Sequence, residues 1–174
     1  MLFKTLLTIA ATASAAPFTN PAGLQPWQLL ALETFSPSGR PGNDPYSMLN
    51  VTIKDPNIIA AQAPTGQAII PPSSASCSAQ WLDNNPPWGQ SIACNSDSGI
   101  SNWSFTINQG TSGTTNFTLD FNLVEIVTIS GMQYEKTWIG GDHFEVGTNL
   151  GGSCGGSGVC SWGLASAPYD INQE

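Results

Sequence analysis

Along residues 116–123 (NFTLDFNL), Phe117, Leu119, Phe121 and Leu123 alternate strictly with polar residues. That is the period of a strand with one face buried. From 124 to 129 (VEIVTI) apolar residues become nearly continuous, as expected where a bulge shifts parity or both faces become covered. Trp103, Phe105 and Ile107 form a second alternating set, and QGTSGTT between the two sets is a turn of hairpin length. Residues 102–108 and 115–129 are therefore expected to pair antiparallel. Leu49, Val51 and Ile53 mark another strand in YSMLNVTIK. In WQLLALETF (27–35), Leu29, Leu30, Leu32 and Phe35 could form a helical face, and Leu, Ala and Glu favour helix. The segment is short and lies between Pro26 and the turn-rich SPSGRPGNDP, so a strand is expected. SCSAQWL, QSIAC, MQYEKTWI, HFEVG and VCSWGL are further short strand candidates.

No segment of helical period reaches about 12 residues. Short strands divided by Gly, Pro and Asn turns predict an all-β fold, a compact antiparallel barrel or sandwich. Residues 55–76 carry four prolines and no charge after Asp55, and read as a long, partly irregular excursion. No internal repeat is visible.

The first residues, MLFKTLLTIAATASAAPF, have the layout of a secretory signal peptide: Lys4, an apolar stretch, then Ala13-Ser14-Ala15. Cleavage after Ala15 is expected, since cutting after Ala16 would leave Pro17 first in the mature chain, where the peptidase tolerates it poorly. The apolar run is far shorter than the roughly 20 residues of a bilayer span. The expected organisation is a signal peptide over 1–15 and one domain over 16–174, with its core at about 26–164. Without Lys4, only Arg40, Lys54 and Lys136 face 12 acidic residues. Such a chain repels phosphate backbones and anionic membranes, so neither nucleic acid nor membrane is an expected partner. Three sequons, at Asn50, Asn102 and Asn116, fit an extracellular glycoprotein. The Trp after Asn102 slows transfer and makes it the weakest acceptor. Each Asn lies in an alternating segment and should face solvent if it carries glycan.

Cys77, Cys94, Cys154 and Cys160 are an even set in a chain expected to be secreted, which favours two disulfides out of three possible connectivities. Proximity favours Cys77 with Cys94 and Cys154 with Cys160. The stretch GGSCGGSGVCSWGL lacks a C-x-x-C spacing and any basic residue to activate a thiol. It has no Lys or Arg and no following helix for a phosphate loop, and too few ligands for zinc. It reads as a staple.

Four features occur in order: Trp27 opening a first strand, PYSMLNVTI as a second, SCSAQW placing Cys77 with Trp88 shortly before Cys94, and a late glycine-rich cysteine pair ending in GVCSWGL. In this the chain resembles the Alternaria major allergen family of small fungal secreted proteins, over about 26–164. The resemblance implies a β-barrel with the same two disulfides and no established catalysis. It implies action as an allergen, elicitor or effector, through a host protein or a flavonoid-like ligand. The family's dimer-linking cysteine has no counterpart, since 16–26 contains none, so a covalent dimer is not expected. The 55–76 excursion looks longer than in the allergen.

Candidate chemistry adds little to a binding role. His143 is the only histidine, and no G-x-S-x-G elbow is present; it is expected in a loop or edge strand. Asp142, His143 and Glu145 form a weak metal set, because neighbours on a strand point to opposite faces. Neither cofactor nor metal is expected. A small glycoside hydrolase would need two carboxylates from Asp120, Glu125, Glu135 and Glu145 across a cleft, yet Asp120 alternates with core residues and should project outward. Trp88 in NNPPWGQ is the best aromatic for stacking on a sugar or flavonoid ring, against the alternative that it packs over the Cys77–Cys94 bridge. Arg40 could anchor a carboxylate. The expected function is that of a secreted, non-enzymatic binding protein contacting a host or cell-wall component. A carbohydrate- or wall-binding module is the first alternative and a small glycosidase the second.

Overall fold

A computed structural model describes residues 23–174 apart from Thr65, Asp83 and Asn84. The expected signal peptide lies outside the described residues. The strands are β1 (Trp27–Ser36), β2 (Tyr46–Asp55), β3 (Ile59–Ala63), β4 (Gly66–Ile70), β5 (Ser73–Leu82), β6 (Ser91–Ala93) and β7 (Asn95–Ser96). They continue with β8 (Ser101–Ser112), β9 (Asn116–Ile129), β10 (Met132–Glu145), β11 (Leu150–Cys154), β12 (Cys160–Leu164) and β13 (Tyr169–Ile171). One sheet has the order β11-β12-β1-β2-β5-β7, with β13 also on β1; the second has the order β10-β9-β8-β6; β3 and β4 form a hairpin. All paired strands are antiparallel. The sheets do not close into a barrel; the architecture is a sandwich.

Between the sheets, Trp27, Leu29, Leu49, Val51 and Ile53 share one core with Trp103, Phe105, Ile107, Phe117, Leu119 and Phe121. Trp27 meets Trp103 edge-on at 4.8 Å between centroids. Two devices bridge the seams. On one side the chain switches sheets at Cys94: β6 pairs with β8, and β7 pairs with β5. Cys94 is bonded there to Cys77 on β5. On the other side β13 pairs with the start of β1, and residues 173–174 then pair with Ile139 and Gly140 of β10. Gly140 permits that approach, because a Cβ there would lie 2.6 Å from the Asn172 carbonyl. The second disulfide, Cys154–Cys160, joins β11 to β12. All four cysteines are in these two bridges, a feature typical of extracellular proteins.

Three details depart from the sequence pattern. In β9 the register against β10 is continuous from Ile129 to Asn116. There is no bulge at 124–129, and unbroken parity carries Glu125 into the core. The bulge lies instead in β1, between Leu29 and Ala31; it turns Leu30 outward at 41% exposure and accounts for the helix-like spacing of WQLLALETF. The described residues of 55–76 are mostly strand: they hold the paired β3 and β4, whose Ile59, Ala61 and Ile70 join the core, and the start of β5. The pairing of β8 with β9 is as expected.

Candidate functional site

Trp88 lines a cleft of about 280 Å³ with Ser47, Trp81, Pro86 and residues 110–114. β5 ends at Leu82, and beyond it prolines 86 and 87, which have no backbone N–H to donate to a ladder, lead into a turn. The turn is fixed by Trp88 N–H donating to the Pro86 carbonyl (2.7 Å) and Gly89 N–H to that of Ile107 (2.9 Å). Trp81 and Pro86 are buried and Trp88 half-buried. The opposite wall is the β8–β9 turn. Thr34 Oγ1 donates to the Thr114 carbonyl (2.8 Å) from β1 beneath it, and Thr111 N–H donates to Asn116 Oδ1 (3.1 Å). A Cβ on Gly113 would lie 2.4 Å from Pro86 Cγ and 3.0 Å from Trp81 Cζ2, so only glycine lets this turn seat. The result is a fixed slot with indole on one side and backbone polar groups on the other. Such a slot suits a flat or pyranose ring bearing hydroxyls.

A second concentration of chemistry is internal. Glu125 is 1% exposed and accepts from Trp138 Nε1 at 2.8 Å. Lys136 Nζ sits 4.5 Å from the Trp138 ring centroid. Asp55, also buried, accepts from Asn57 N (2.9 Å) and Nδ2 (2.6 Å). Burial pushes Glu125 up to about 7; the Trp138 hydrogen bond opposes the rise and the Asp55 charge adds to it. Burial also raises Asp55, against the two Asn57 hydrogen bonds.

No family model, curated protein or solved structure matches this chain.

The other sequence candidates are dispersed. Asp120 is exposed on β9 and accepts from Asn108 Nδ2. Glu125 points to the opposite, inner face of the same strand, so these two carboxylates do not flank one cleft. Glu135 is exposed on β10. The Asp142, His143 and Glu145 trio separates: Asp142 Oδ2 accepts from the Tyr169 hydroxyl (2.6 Å), His143 Nδ1 meets Thr118 Oγ1 (3.2 Å), and Glu145 Oε1 accepts from Asn116 Nδ2 (3.0 Å). His143 is exposed on β10, which forms one edge of its sheet. Arg40 is exposed in the β1–β2 loop, which folds around a depression of about 480 Å³. Asn50 and Asn102 face solvent, whereas Asn116 is half-buried with both amide atoms engaged. Sequence reasoning passed over Glu125 as a site residue of its own. The signal was present: 117, 119, 121, 123, 125, 127 and 129 form one parity series, in which only 125 is charged.

Proposed function

We propose that this is a secreted fungal binding protein of the kind the allergen-family resemblance implies, acting through surface contacts and not through catalysis. The Trp88 cleft carries this reading. It is a preformed slot beside a half-buried indole, held by a turn tied to β1 and β9, and it is suited to a small aromatic ligand or a sugar ring. The seam-spanning disulfide and the second clip on β11–β12 suit a protein that works outside the cell as a stable scaffold.

The test is titration of the purified protein with flavonoid-type aromatics and, separately, with neutral wall oligosaccharides, followed by tryptophan fluorescence. Saturable quenching that is lost in Trp88→Ala, with the β-sheet circular-dichroism spectrum retained, is the expected result. Quenching by the aromatic arm supports the allergen-type reading; quenching by the oligosaccharide arm alone moves the assignment to a wall-binding module. Equal binding by both proteins, or none by the unmodified protein, removes the cleft from the function.

A further inference from the structure

The outward face of the larger sheet has a basin, and a sequon lies at its centre. In register across β1, β2 and β5, Glu33 stands beside Asn50 and Asn50 beside Ser78. On the far side of Glu33 is Gly163 of β12. Two shallow depressions, of about 490 and about 320 Å³, meet here, and Glu33 and Asn50 line both. The dip has a simple cause. Gly163, Ala31, Ser76 and Ser78 put little or no side chain on this face, whereas half-buried Phe35 and Met48, paired across β1 and β2, wall one end.

The three sequons differ in what the fold does with the acceptor nitrogen. Asn116 Nδ2 is committed to Glu145 and its Oδ1 to Thr111. Asn102 is exposed on the other sheet. Asn50 Oδ1 accepts from Ser78 Oγ at 2.8 Å, which orients the amide, and among the described residues no hydrogen bond occupies its Nδ2. Asn50 is thus presented with its acceptor nitrogen open, in the middle of a hollow of ligand size. Thr52, the hydroxyl residue of the same sequon, faces the same side two positions on.

We propose that Asn50 carries an N-linked glycan whose first sugars lie in this basin instead of extending into solvent. In the attachment step Nδ2 loses a proton and bonds to the anomeric carbon of an N-acetylglucosamine. The bond from that carbon to a lipid diphosphate breaks, and the diphosphate leaves with the electron pair. The inner sugars then cover the apolar surface of Phe35 and Met48, while the Glu33 carboxylate and Ser76 and Ser78 hydroxyls meet sugar hydroxyl and amide groups. The inference rests on the secretory route of the proposed function, and leaves the Trp88 cleft free.

The experiment expresses the full chain in a fungal secretory host, maps glycopeptides by mass spectrometry, and compares it with Asn50→Gln. Occupancy at Asn50, with a loss of one glycan mass in the variant, is the expected result. Retention of the unprocessed chain inside the cells overturns the secretory reading itself. A secreted chain with Asn50 unmodified overturns only the glycan proposal. The seating is read by an endoglycosidase that cuts between the first two sugars. Release from Asn50 should be at least tenfold slower in the native protein than after denaturation, and equal rates would show a glycan that does not occupy the basin.

Discussion

Glu125 makes the stability of this protein depend on pH in the direction opposite to ordinary acid denaturation. Its carboxyl titrates at about 7 in the fold, against an ordinary 4.5. Below the lower value both folded and unfolded chains hold the proton, and the group contributes no penalty. As pH rises towards 7 the unfolded chain ionises while the folded one keeps its proton, so stability falls; above 7 the loss is complete. At about 1.4 kcal/mol per unit of separation, the loss approaches roughly 3 kcal/mol. For a chain of this size that lowers Tm by roughly 6–12 °C. Asp55 is displaced in the same direction and adds to the trend. Asp97 is lowered by its hydrogen bonds from Ser74, and its contribution is lost only below the ordinary Asp range, outside this window. The assay is urea denaturation at pH 4.5, 5.5, 6.5 and 8, with the protein and Glu125→Gln side by side. The amide keeps an acceptor for Trp138 Nε1 but has no charge to bury. The unmodified midpoint should fall steadily with pH and the variant's should fall much less, so that the variant is the more stable at pH 8. A midpoint that is flat or rising from pH 4.5 to 8, or an unchanged slope in Glu125→Gln, would refute the reasoning.

Other perturbations act on single contacts. Trp138→Phe leaves Glu125 Oε2 without its donor, and should cost about 1–3 kcal/mol and push the pH midpoint of the stability curve still higher. Gly113→Ala forces its Cβ against Pro86 and Trp81, with an expected loss of about 1–3 kcal/mol and a changed tryptophan emission spectrum. A variant as stable as the original would mean that the turn can shift freely. Mild reductant should open Cys154–Cys160, in an exposed stretch of chain, before Cys77–Cys94, whose Cys77 is 3% exposed; mass mapping after alkylation reads the order. Removing the bridges as serine pairs should cost roughly 3 kcal/mol at Cys77–Cys94 and roughly 2 at Cys154–Cys160, following loop length.

The strands were legible because alternation is a local property, and β8 and β9 could even be paired because a short turn joins them. Reading failed where a local rule met a distant constraint. Glu125 looks like a solvent-side charge or a break in parity unless the inner face is known to hold Trp138 as its partner, 13 residues away. The β1 bulge imitates helical spacing because its extra residue, Leu30, is apolar and exposed. Trp88 stood out as an aromatic among prolines. Its cleft did not, since the opposing wall depends on Gly113 packing against Pro86, a contact no periodicity encodes. The switch of sheets at Cys94 and the pairing of 169–174 with both sheets likewise arise from closure of the whole sandwich.

That last pairing has a consequence for synthesis. Trp27 N–H reaches Gln173 Oε1 across 146 positions, and β1 has neighbours on both sides only once β12 and β13 have arrived. The opening strand therefore emerges early and waits with one bare flank for nearly the whole of translation, which favours slow maturation and invites pairing with other nascent chains. Yield in a heterologous host should respond more to chaperone supply and growth temperature than to transcript level.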